Sequence, residues 1–211
     1  MSYELLIAVT LGIVWSQVIS HFGASILLHR YYCHRQFKVP VWFEWVGLFM
    51  LSVAYIRTPI GWIASHRMHH HHSDSEKDPH SAKHVGFWKV LLTTWDIPSI
   101  PPKYAKDLFA NPRLVFFHKH HVKILLAHNI ISFAISPYFW IAYALVPFIF
   151  AKIGFGLLNT IGHKTEGGAN VPWLNIFIAG EGYHKEHHQN SKRIRLHKYD
   201  TGGWLAERLF R

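Results

Sequence analysis

Apolar residues in this chain come in long runs, and the runs stop at histidines. Residues 3–28 contain one acid and no lysine or arginine, and as a helix they would span about 39 Å at 1.5 Å per residue. That exceeds the roughly 30 Å hydrocarbon core of a bilayer, so the helix can cross and still project His29 beyond it. No basic segment precedes the run and histidines come directly after it, so a crossing helix is expected rather than a secretory signal. His21, inside the run, reads as a hydrogen-bonded interior histidine. A second apolar stretch, 41–64, is interrupted by Glu44, Arg57 and Pro59 and carries Trp42, Trp45 and Trp62. A full crossing here would put the histidines at 29–34 and 66–70 on opposite faces of the membrane. An interfacial or shallowly re-entrant helix is therefore expected, with a tight two-helix hairpin as the alternative.

The chain then turns polar and proline-rich between residues 73 and 112, with Pro79, Pro98, Pro101 and Pro102 as punctuation. Val85–Trp95 reads as a short amphipathic surface helix. Another helix begins over 116–128, where Lys119, His120, His121 and Lys123 can snorkel at an interface. Residues 124–135 then cross outward, Ser136-Pro137 makes the turn, and 138–162 returns to end at His163. The expected architecture is all-α: one membrane domain over 1–211, with transmembrane helices at 3–28, 122–136 and 138–162. Residues 41–64 would be interfacial, 65–121 and 163–211 cytoplasmic, and the N-terminus outside.

Charge supports this topology. The chain has 22 Lys plus Arg against 12 Asp plus Glu, yet is 50% hydrophobic. In a soluble protein such a balance would suggest nucleic acid. Here the cations avoid the apolar runs, with none before Arg30 and only Lys152 between Ile124 and His163. That is the positive-inside pattern of a membrane protein. Lys152 either snorkels or lies beside a substrate channel. The single cysteine, Cys33, excludes an internal disulfide and reads as a packing residue.

The densest chemistry is the run from His66 to His72. His66, His69 and His70 stand at i, i+3 and i+4, so a helix would aim three imidazoles from one face, and 71 and 72 rotate off it. His184, His187 and His188 repeat the spacing. His29 and His34 are five apart, about 140° on an α-helix, so they should straddle a helix end. Asn159 and His163 close the last apolar run. Nine histidines in four clusters are too many for one tetrahedral zinc. Imidazole suits iron, zinc, copper and nickel alike, and of the glutamates only Glu181 and Glu186 lie near a cluster.

Together, His29-x4-His34, His66-x2-His69-His70, Asn159-x3-His163 and Glu181-Gly182-Tyr183-His184-x2-His187-His188 resemble the histidine boxes of the membrane-bound fatty acyl desaturases. The likeness is to the delta-9 acyl-CoA desaturase-like branch and runs from about Gly23 to Trp204. It implies that His29, His34, His66, His69, His70, His163, His184, His187 and His188 hold two iron ions, with dioxygen as co-substrate. His71, His72 and His80 fall outside the ligand pattern. By the same likeness Asn159 sits beside the metal, through water or as a supporting group, and Asp74, Asp78 and Glu181 orient imidazoles. Trp62 lines an acyl channel or packs in the core. Lys192, Arg193, Arg195 and Lys198 bind a phosphate-bearing part of the substrate or anionic lipid headgroups, or act as a juxtamembrane signal. The substrate implied is a saturated fatty acyl chain on CoA, lipid or carrier protein. Electrons would come from a separate donor such as a ferredoxin or a cytochrome, with the site on the cytoplasmic face of a bacterial inner membrane or the endoplasmic reticulum. Two departures from the branch stand out: the basic segment after His80 is short, and one crossing rather than two precedes the first box. The rival readings are a membrane hydroxylase or alkane-type monooxygenase and a histidine-rich metal transporter.

Overall fold

The computed structural model describes residues 2–54, 57–94, 96 and 99–211; the expectations placed on Met1, Trp95 and Pro98 lie outside them. The first helix, α1, spans Tyr3–Cys33. It starts where the Ser2 hydroxyl accepts from Leu5 N, satisfying a donor that the first turn leaves open. Its second half, Ile19–Cys33, is wound as a π-helix. Such winding is rare and concentrates near functional positions. Bonding from i to i+5 brings every fifth residue onto one side, which an α-helix would not do. Ser20, Ser25 and Arg30 thus form a polar stripe facing the C-terminal part of the chain. The Ser20 hydroxyl accepts from Ala179 N at 3.0 Å, and Ser25 donates to Ala179 O at 3.0 Å.

The stretch expected as one interfacial helix, with a two-helix hairpin as the alternative, is two helices, α2 at Val41–Ser52 and α3 at Pro59–His72. The Thr58 hydroxyl accepts from Gly61 N at 3.2 Å, and Pro59 stands in the first turn, where its missing N–H breaks no bond. The chain therefore restarts there, and the histidine run forms the last turns of a returning helix. Glu44 does not mark an exposed interruption. It is 2% exposed and accepts from Asn111 Nδ2 at 2.7 Å, from Arg113 Nη2 at 3.1 Å and from the Tyr32 hydroxyl, tying α2 to the segments beside it.

In place of one amphipathic helix between Pro79 and Pro98 there are two short ones, α4 at Ala82–Val85 and α5 at Phe87–Leu91. Gly86, at φ 111°, makes the joint, a conformation costly for any other residue. α6 runs Pro112–Ile135 under an Asn111 cap, and α7 runs Pro137–Ile161. The two meet beside the Ser136-Pro137 turn, where Trp140 Nε1 donates to Asn129 Oδ1 at 2.8 Å. Short helices α8, His184–Gln189, and α9, Thr201–Phe210, complete the chain. The fold is all-α; among the described residues the one β-type pairing is an isolated bridge, Asn170 to Tyr183.

Two helices, α1 and α7, are long and apolar enough to cross a membrane. α6, the third expected crossing, is interrupted by Arg113, Lys119 and Lys123 in its first half. Lys152 reaches Thr93 Oγ1 at 2.5 Å, so its charge is carried to the segment after α5. His21 bonds Gln17 O at 2.7 Å and Thr201 Oγ1 at 2.9 Å. The main core joins α1, α2, α3 and α6 through Ile26, Leu27, Leu48, Ile63 and Leu114.

Candidate metal centre

The histidines at the ends of α1, α3 and α7 and those on α8 converge. Nδ1 or Nε2 atoms of His29, His34, His66, His70 and His187 lie within 4.8 Å of one another, and those of His69, His163, His184 and His188 form a second such group. All nine boxed histidines are thus placed in two sets, of five and four. The π-winding brings His34, the residue capping α1, to 4.8 Å from His29 between ring centroids. α3 divides its ligands: His66 and His70, one turn apart, join the first set and His69 joins the second. α8 does likewise, His187 entering the first and His184 and His188 the second. His71 and His72 rotate away, and His72 meets the Tyr104 hydroxyl at 3.4 Å.

Within each set the Nε2 atoms face inward, at 2.7–3.3 Å for the neighbouring pairs His29–His187, His66–His70, His70–His187, His163–His184 and His69–His188. Imidazole pairs can share protons only singly, so many ring nitrogens pointing at one space form a donor set for a cation. The outward Nδ1 atoms meet carboxylates: His29 with Glu181 at 2.8 Å, His69 with Asp78 at 2.8 Å, His163 with Asp74 at 3.0 Å. An Nδ1–H donated outward leaves the Nε2 lone pair aimed inward. Burial, reinforced by neighbouring imidazoles, holds His66, His69, His184 and His187 well below the usual histidine range. The rings are therefore neutral, as metal ligands must be. Burial alone would raise the Glu181 carboxyl, but Arg30 and His29 outweigh it and bring it down to about 2. Asn159 is buried one turn before His163, its Nδ2 committed to Phe155 O at 2.8 Å.

Sequence reasoning missed Arg30. It is 1% exposed and donates to Ser25, to Glu181, to Asp200 Oδ2 at 2.8 Å and to Ile194 O at 3.0 Å. A cation beside a box histidine, with no acid near in sequence, was the available signal. His80, outside the ligand pattern, is nonetheless buried, stacks on His69 at 4.4 Å and gives its backbone N–H to Asp78 Oδ1 at 3.0 Å.

Trp62 stacks on His66 with centroids 5.1 Å apart and lies 5.9 Å from Phe155. Both rings wall a narrow apolar cavity of about 100 Å³ that continues between α1 and α7 past Ala24, Ile19 and Pro147. Arg193 and Arg195 instead line an open basic bowl with no lining residue in common with that cavity.

The family profile described as fatty acid desaturase matches residues 5–202. The chain is 27% identical to an sn-1 stearoyl-lipid 9-desaturase of Anabaena variabilis, over 96% of this chain and 79% of that protein. It is 31% identical to delta-9 acyl-lipid desaturase 2 of Arabidopsis thaliana, over 89% and 67%, and 30% identical to delta-9 acyl-lipid desaturase 1 of the same plant, over 79% and 59%. A match along nearly the whole chain, with nine histidines gathered into two sets, makes this protein a member of the fatty acid desaturase family, and an oxidoreductase of that class.

Proposed function

We propose that the chain desaturates a lipid-linked fatty acyl group beside two irons held by the nine boxed histidines. The observation that carries this is the adjacency of two all-imidazole donor sets to an apolar cavity through the Trp62–His66 stack. The donor sets fit the group: nine imidazole nitrogens in sets of five and four give each ion four or five ligands and leave positions open. Bound iron would supply, with dioxygen and electrons from a separate donor, the oxidant that an unactivated methylene requires. His29, His34, His66, His70 and His187 would hold one ion, and His69, His163, His184 and His188 the other. Asp78 and Asp74 fix two of these rings by accepting from Nδ1–H, Glu181 stands 2.8 Å from His29 Nδ1 as its counter-charge, and Asn159 would serve the second set through water or as a supporting group. The protein's remaining task is to place one stretch of the chain. Trp62 and Phe155 do so by forming the wall nearest the histidines, while the apolar lining excludes water. An acyl-lipid substrate is favoured over acyl-CoA by the names of the relatives and by the short segment after His80.

The same reading sets the topology. α1, the apolar half of α6, and α7 cross the membrane, α2 and the start of α3 dip into it, and the histidines lie on the cytoplasmic side, where the cations are. Expression in a desaturase-deficient host followed by mass spectrometry of the lipids tests the activity. A new monounsaturated chain, absent with the His69→Ala variant, is the expected result; a hydroxylated chain, or unchanged lipids beside two irons per purified chain, would overturn it.

A further inference from the structure

The basic bowl beside α9 has no part in the metal centre. Lys38, Arg193, Arg195, Lys198 and Arg211 line it, together with a single acid, Glu207, which pairs with Arg211 at 3.4 Å. Its volume is about 910 Å³. The floor is apolar: Phe37 and Phe210 stack at 5.4 Å, and Phe210 packs on Phe43 of α2 at 4.8 Å. The bowl is rigidly backed. Arg30 donates to Ile194 O, and Asp200 Oδ2 accepts from Leu196 N at 2.9 Å, so a buried ion network pins the segment that carries the cations. Lys192 Nζ donates to His34 O at 2.6 Å at its edge.

Depth and surroundings identify the ligand. The bowl begins three residues beyond the end of α1, at the level where the apolar helix leaves the hydrocarbon for the headgroups. Around it Trp42, Tyr199, Trp204 and Leu209 stand 43–64% exposed, the amphipathic ring and leucine side chains of a membrane interface. Clustered Lys and Arg at this depth attract phosphate. We propose that the bowl is a site for the phosphate of an anionic phospholipid, bound as a resident of the membrane and separate from the acyl group in the cavity. The glycerophosphate meets Lys38 and Arg193, and the first methylenes of its chains lie on Phe37 and Phe210.

Native mass spectrometry of the full, metal-loaded chain released from nanodiscs tests this. Discs of mixed dioleoyl phosphatidylglycerol and dioleoyl phosphatidylcholine should yield one retained phosphatidylglycerol per chain in preference to phosphatidylcholine. Lys38→Gln/Arg193→Gln, which removes neither the Arg30 nor the Lys192 bond to this segment, should weaken that retention by about tenfold or more with metal content unchanged. Arg195→Gln, which also removes a bond to Lys198 O, serves as a second variant and should weaken retention in the same direction. Equal retention of both lipids, or retention untouched by the double variant, overturns the proposal. CoA added at millimolar concentration separates the two sources of phosphate: one-for-one displacement of phosphatidylglycerol would assign the bowl to a soluble thioester instead. An acidic protein as the true occupant would appear as no selective lipid at all.

Discussion

Asp78 accepts from His69 Nδ1, from Asp74 N and from His80 N, so one carboxylate fixes a ligand ring and the turn behind it. Asp78→Asn keeps the shape and weakens the acceptor; metal affinity should fall by about 10–100-fold, read by competition with a chelator, and unchanged affinity would remove Asp78 from this role. Alanine at any of the nine boxed histidines should lower metal content and abolish product, whereas His71→Ala and His72→Ala should do neither. Loss of metal in His72→Ala with retention in His69→Ala would break the assignment. Arg30→Ala leaves Glu181 and Asp200 buried without their cation and should cost about 3–5 kcal/mol, seen as a lower thermal midpoint in detergent. The histidines were legible because their information is local: spacings of three, four and five residues state which rings can share a face. Arg30 was not, because Glu181 and Asp200 lie 151 and 170 residues away, and nothing short-range ties a lone arginine to either.

Hydropathy alone merged α2 and α3 at the scale of elements, since the run from 41 to 64 is apolar on both sides of the break. The break was nonetheless written as a helix start, Thr58-Pro59, a capping residue with a first-turn proline behind it. Removing the cap with Thr58→Ala should destabilise by about 1 kcal/mol; a change below a few tenths would mean that packing alone sets where α3 begins. α6 shows the opposite limit. Its helix was legible, but its first half carries three cations, and length and apolarity do not make it a crossing on their own. The Glu44 contacts were illegible for a simple reason: a lone acid in an apolar run looks the same whether it faces water or is buried against Asn111 and Arg113.

For the whole molecule, cysteines introduced singly at Ser2, Lys38, Ser75, Ser136 and Ser191 in a Cys33→Ser background locate the faces of the membrane. With an impermeant thiol reagent on intact cells, labelling at 2 and 136 alone is expected, and labelling at 75 would separate the second box from the cytoplasm. The clustered imidazoles also set a pH dependence. In the unfolded chain they protonate near 6.5. In the metal-free folded chain, burial and then neighbouring rings depress His66, His69, His184 and His187 well below that value. Below about 6.5 the unfolded state therefore binds more protons, so stability falls with acidification and is flat for these groups above it. The thermal midpoint of chelator-stripped protein should hold between pH 8 and 7 and drop between 6 and 5; a rise on acidification would contradict the neutral packing of the rings. The π-wound half of α1 bears on a different question, which lengths of this chain evolution or an engineer can use. An α-helical segment that loses a residue turns the remainder of the helix by about 100°, and here two chemistries hang on a count of five: Ser20, Ser25 and Arg30 on one line, His29 and His34 on another. A one-codon deletion anywhere from 21 to 33 would put one or both out of phase, while the same deletion near Thr10 would leave both lines intact and disturb only the packing of the first turns, Ala8 among them, against α7. Scanning single-codon deletions along α1 should therefore give a sharp boundary in metal content near residue 20, at a place where a hydropathy plot shows no change at all.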